Sequence, residues 1–99
     1  VWTGSALTED STNPADAERA REFATWVKAT WDEKGDNIFI WDFRELETEG
    51  GLFLKPEYSD GPKNSHPATE FAAQAAPRMG RRIVDVIEGR GDTSSLSGE

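Results

Sequence analysis

Asn37-Ile38-Phe39-Ile40-Trp41-Asp42-Phe43 is the segment from which the architecture of this chain is most readily predicted. Its four central side chains are all apolar, and β-branched and aromatic residues of this kind favour a strand. An unbroken apolar run predicts a strand covered on both faces, as in a sheet with helices on either side. Asp42 follows at the carboxyl end of this strand, which is the edge where open α/β sheets bind ligands.

A helical pattern precedes this strand. Asn13-Pro14 is a typical helix start, because asparagine caps well and proline suits the first helical position. Apolar side chains then recur at three- and four-residue steps to about Glu33, which predicts a helix with one apolar stripe. That stripe consists of Ala20, Phe23, Ala24, Val27 and Trp31. Core packing is the expected role of Trp31 and Trp41, whereas an exposed tryptophan would be suited to stacking on sugar rings.

A second helix is predicted from Pro67 to about Glu88, with a kink or split at Pro77 because proline removes one backbone donor. Val1–Thr3 is read as the end of a short strand. The order strand, helix, strand, long loop, helix predicts an α/β domain over residues 1–88. The polar residues 89–99 are expected to form a flexible tail. Two strands make a poor sheet, so we expect a further segment, another chain or a second copy to complete it.

Composition restricts the classes of partner. The 99 residues carry a formal net charge of −8, which argues against nucleic acid and against an anionic membrane surface. There is no cysteine, so disulfides and thiolate metal sites are excluded. No apolar run approaches the roughly 20 residues that span a bilayer. These features predict a soluble protein with no cofactor and no metal, and they leave its compartment, including secretion, open.

His66 is the only histidine, and it lies in Asn64-Ser65-His66-Pro67, between a long irregular stretch and the second helix. Histidine is the commonest general base because its pKa lies near neutral pH. The alternative is a structural role, in which His66 helps to cap the helix while Ser65 and Pro67 shape the turn.

Two groups of charged residues are interpreted as solvated surface. An acidic loop would suit calcium only if several of its oxygens converged, and its spacing resembles no known calcium loop. The residues of that loop are Glu45, Glu47, Glu49 and Asp60. The second group lies on the last helix, as a solvated face or paired with nearby acids, and comprises Arg78, Arg81 and Arg82.

Several blocks together resemble the C-terminal half of an SGNH (GDSL-type) hydrolase. They are Asp42-Phe43, Leu54-Lys55-Pro56-Glu57-Tyr58, Asn64-Ser65-His66-Pro67 and the alanine-rich helix that ends in Arg82-Ile83-Val84-Asp85. The resemblance covers about residues 1–88, with the His-Pro block its most specific part. It implies a flavodoxin-like α/β/α sandwich with a parallel sheet and a serine esterase-type site.

The resemblance also implies roles for individual residues. His66 matches the base that takes a proton from the nucleophilic serine and returns it to the leaving group. The family's Gly-Asp-Ser nucleophile block is missing from this chain, and Ser5 does not fit it. Lys63 occupies the position of the acid that should orient the imidazole, and lysine is unable to accept its proton. Asn64 or a backbone carbonyl could orient the ring instead. Asp60 could also do so if the Gly61–Asn64 turn folds back.

Two functions follow as expectations. In the first, this chain supplies His66 to a serine held elsewhere and the complete enzyme hydrolyses an ester, such as an acylated carbohydrate or a small ester. In the second, the same fold is a non-catalytic module that binds a ligand or a protein. The expected partners are an ester substrate and a missing N-terminal half, another chain or a second copy.

Overall fold

The computed structural model describes all 99 residues, and most of its regular structure is helical. Helix α1 spans Pro14–Trp26 and continues as one π-helical turn, Val27–Trp31. Helix α2 spans Phe43–Thr48, and helix α3 spans Thr69–Ile87. Strands β1, Ser59–Gly61, and β2, Asn64–Pro67, form an antiparallel hairpin between α2 and α3. Short 3-10 turns lie at Glu9–Ser11 and Pro56–Tyr58.

The first predicted helix is confirmed in both its start and its approximate end. The side chain of Asn13 accepts a hydrogen bond from the backbone N–H of Asp16 at 2.9 Å, as expected of an N-cap. The second predicted helix is also present. Pro77 lies inside α3 without splitting it.

The predicted flavodoxin-like parallel sheet is wrong. The sheet of this structure is the two-stranded antiparallel hairpin β1–β2, and residues 37–43 form no strand. Their pairing with residues 1–3 is limited to one parallel bridge between Trp2 and Trp41. Trp41 donates its N–H to Val1 O at 2.8 Å and accepts from Thr3 N at 3.0 Å.

The other edge of this segment explains why no larger sheet forms. The guanidinium Nε of Arg82 donates to Ile40 O at 2.7 Å, and Asp42 N–H donates to Leu96 O at 2.8 Å. A side chain and the C-terminal residues therefore occupy the backbone groups that a neighbouring strand would have used. Residues 89–99 fold back onto the body, and Trp41 Nε1 donates to Ser97 O at 3.2 Å.

The core is thin. Its buried cluster consists of Trp41, Leu46, Phe71 and Ala75, with Phe43 and Tyr58 packed against it. Tyr58 and Phe71 stack with ring centroids 4.5 Å apart. Only 21 of the 99 residues are buried, so large apolar side chains remain at the surface. Trp31 is among these exposed residues, which corrects its predicted core position, whereas Trp41 is buried as expected.

Candidate functional site

His66 lies on β2, three residues before helix α3 begins at Thr69. The hairpin holds this strand by pairing Ser59 with Pro67 and Gly61 with Asn64. The cap position of α3 is Ala68, which makes no side-chain capping bond. His66 therefore does not cap the helix, and its side chain is exposed to solvent.

Asn64 orients the imidazole of His66. The backbone N–H of His66 donates to Asn64 Oδ1 at 3.0 Å, and Nδ1 of the ring lies 2.9 Å from the same oxygen. A backbone N–H is always a donor, so the Asn64 atom that it contacts is the amide oxygen and not the nitrogen. Because that oxygen only accepts, Nδ1 carries the ring proton in the neutral form. Nε2 is then left with a free lone pair facing solvent.

Asp60 does not share in this arrangement. The Gly61–Asn64 turn does fold back, which places Asp60 across the hairpin from Ser65 and His66. Its side chain is nevertheless exposed and forms no hydrogen bond with the ring, whose partner is Asn64. Of the three groups expected to orient the ring, the structure brings Asn64 into contact.

No serine of this chain is hydrogen-bonded to the ring of His66. Ser65 Oγ accepts from the backbone N–H of Thr8 at 3.2 Å, which ties the hairpin to the N-terminal segment. Ser5 lies in a different region, along a groove beside α1. A complete serine–histidine pair is therefore not assembled within these residues.

Asp42 is engaged in structural contacts. Its carboxylate forms an ion pair with Lys28, Nζ to Oδ2 2.5 Å, and accepts from Thr3 Oγ1 at 2.9 Å. Its Oδ1 also accepts from Glu45 N at 3.3 Å, so Asp42 caps helix α2. Both carboxylate oxygens are thus occupied at the position where the sequence predicted a ligand-binding edge.

The acidic loop is not a cluster of converging oxygens. Glu47 is fully buried, and its Oε2 accepts from Ala6 N at 2.7 Å while Oε1 has no partner. Burial raises the pKa of Glu47 to about 7. Glu49 instead binds Lys55 and Tyr58 at the surface, and the Lys55 ammonium, at 2.6 Å, lowers the pKa of Glu49. No group of three histidine or acidic side chains is placed to hold a metal ion.

Sequence reasoning missed two apolar grooves that meet at Trp2. The α1 groove has a volume of about 390 Å³, and the α3 groove about 340 Å³. The apolar residues of the first include Trp2, Phe23, Trp26, Val27 and Trp31. Those of the second include Trp2, Met79, Ile83, Val86 and Ile87. The helical stripe predicted for α1 was the available signal, since all five of its residues line the first groove.

Comparisons with protein families, with curated proteins and with solved structures find no match to this chain. None of the helices combines the length and apolar content that crossing a lipid bilayer requires.

Proposed function

We propose that His66 is the general base of a serine-type ester hydrolysis in which the nucleophilic serine comes from outside these 99 residues. The observation that carries this proposal is the contact of Asn64 Oδ1 with both the backbone N–H and Nδ1 of His66. It leaves Nε2 unprotonated and accessible, which is the state that a general base requires. Histidine–asparagine pairs orient catalytic imidazoles in other hydrolases.

The reaction would begin when Nε2 of His66 takes the hydroxyl proton of the incoming serine. The serine oxygen would attack the ester carbonyl, and the protonated ring would return the proton to the leaving alcohol. Water would then release the acyl group by the same route. Asn64 holds the ring but carries no charge, so it would stabilise the imidazolium less than a carboxylate would.

The test is hydrolysis of a chromogenic short-chain ester by the protein that holds both this segment and the serine. His66→Ala is expected to lower kcat/KM by about a hundredfold or more. Asn64→Ala should lower it by about tenfold, and Asn64→Asp should restore or raise it, since a carboxylate accepts the Nδ1 proton and stabilises the imidazolium. Asp60→Ala is the matched control on the facing strand and should leave the rate unchanged.

A second candidate function is that of a non-catalytic binding module, and the observation that favours it is the pair of apolar grooves at Trp2. Monomeric soluble proteins rarely leave a large contiguous apolar surface exposed unless it binds something. The ester assay separates the two candidates. Hydrolysis that is equal in the wild type and in His66→Ala would eliminate His66 as the base and leave the binding function.

A further inference from the structure

Residues 1–3 pair with the rest of the molecule along one edge only. Val1 and Thr3 direct their backbone bonds to Phe39 and Trp41, with distances of 2.8 to 3.0 Å. The N–H and C=O of Trp2 point the opposite way, and neither has a hydrogen-bond partner. An exposed edge with unpaired peptide groups is a template for pairing with another extended chain.

Two apolar grooves adjoin this edge. Val1 and Trp2 line both the α1 groove and the α3 groove, so the two grooves meet at this edge. We call the exposed apolar residues of the two grooves the Trp2 face. It comprises Val1, Trp2, Phe23, Trp26, Trp31, Met79, Ile83 and Ile87.

The area of the Trp2 face matches what a stable dimer needs. Its aromatic residues Trp2, Phe23, Trp26 and Trp31 are 58%, 65%, 47% and 43% exposed. With about 200 Å² for each aromatic side chain, they alone offer roughly 400 Å². The four aliphatic residues and the backbone add to this figure. A standard protein interface buries about 800 Å² on each partner, most of which the Trp2 face can supply.

The distribution of charge favours a second copy of this chain as the occupant. The chain holds 19 acidic residues, yet none of them lines either groove. The only charged side chains of the two linings are those of Arg44 and Arg82. Two copies with a net charge of −8 each can therefore meet through this face without bringing carboxylates together.

We propose that the Trp2 face joins two copies of this chain about a twofold axis that passes beside Trp2. The two edges would run antiparallel, and the Trp2 N–H of each copy would donate to the Trp2 C=O of the other, as in a hydrogen-bonded antiparallel pair. The α1 and α3 grooves would be covered in the same step. This inference does not depend on catalysis by His66; it gives the binding-module candidate a specific occupant.

The test is the mass of the purified chain in solution by sedimentation equilibrium, over roughly a hundredfold range of concentration. The mass is expected to rise from 11.0 kDa towards twice that value. Ile83→Lys would place two charges in the interface, one from each copy, and should raise the dimer dissociation constant by about a hundredfold or more. Trp2→Lys should act in the same direction.

Val84→Lys is the matched control, because Val84 is the next residue of α3 and is 47% exposed against 49% for Ile83, but lines neither groove. It should leave the dissociation constant within about threefold of wild type. Circular dichroism of each variant checks that α3 still forms. A monomer at every concentration, or equal effects of Ile83→Lys and Val84→Lys, would overturn the proposal. His66→Ala should dimerise normally, which separates this outcome from that of the ester assay.

Discussion

Glu47 occupies an environment that differs sharply from the one its acidic neighbours suggest. It belongs to a run of alternating glutamates that reads as a solvated loop, yet helix α2 turns its side chain fully inward. Only one of its carboxylate oxygens has a hydrogen bond, from Ala6 N. Burial of this kind disfavours the charged form and raises the pKa to about 7.

The ionisation of Glu47 makes stability depend on pH. Since the folded pKa lies above the ordinary value of 4.5, the native state binds the proton more tightly than the unfolded chain does. The contribution of Glu47 is therefore greatest below about pH 4.5 and is lost as pH rises through about 7. Glu47→Gln removes this ionisation and keeps an acceptor for Ala6 N–H. Its free energy of unfolding relative to wild type should rise by on the order of 2 kcal/mol between pH 5 and pH 8.

Urea denaturation at the two pH values measures this difference. Glu45→Gln, on the exposed side of the same helix, is the control. It should change the free energy of unfolding by the same amount at pH 5 and at pH 8. An equal effect of Glu47→Gln at pH 5 and at pH 8 would show that the buried carboxyl does not titrate in this range.

Among the elements, helices α1 and α3 were predictable, whereas helix α2 and the hairpin lie where a strand end and an irregular loop were expected. Asn13-Pro14 sets the start of α1 through contacts within a few residues, so the sequence alone carries the signal. The apolar run Ile38–Trp41 did not indicate what would lie beside it. Its neighbours are Val1–Thr3 on one edge and Arg82 with Leu96 on the other, all distant in sequence.

The cap of α1 gives a prediction at this scale. Asn13→Ala removes the side-chain acceptor for Asp16 N–H and should lower the free energy of unfolding by about 1 kcal/mol. Thr12→Ala, one residue earlier, removes a side chain without a hydrogen bond and should change stability by less than about 0.5 kcal/mol. Thermal or urea unfolding followed by circular dichroism measures both. Equal stability of the two variants would contradict the capping role.

In the whole molecule, Arg82 connects three parts of the chain. It was predicted to lie in an arginine group that is either solvated or paired with nearby acids, but it is buried and lies on the inner side of α3. Its guanidinium donates to Ile40 O, Gly91 O and Ser94 Oγ at 2.7 to 2.9 Å. Periodicity places Arg82 on α3, but it does not reveal that the backbone carbonyls of two distant segments converge on that position.

Arg82→Met is therefore expected to destabilise the protein by about 3 kcal/mol, because it leaves buried carbonyls without donors. Arg81→Met removes an exposed arginine that forms no ion pair and should cost less than about 0.5 kcal/mol. Urea denaturation compares the free energies of unfolding of the two variants. If both variants were as stable as wild type, Arg82 would not hold the C-terminal residues to the body.

The candidate site was predictable in its residue type but not in its partner. The single histidine and the turn before α3 were evident from the sequence, and Asn64 was one of three groups considered for orienting it. Asn64 Oδ1 reaches both His66 donors through a local contact between residues two apart, whereas Asp60 would have to reach the ring across the register of the hairpin. The position of Asp60 across the hairpin follows from the same register.

The most direct measurement of whether His66 is prepared to act as a base is its tautomer, from long-range ¹H–¹⁵N correlation spectra of the neutral ring. The contact with Asn64 Oδ1 predicts the proton on Nδ1 and a free lone pair on Nε2. Asn64→Ala should shift the population towards the Nε2–H form. A wild-type ring protonated mainly on Nε2, with no change in Asn64→Ala, would contradict the proposed role of His66.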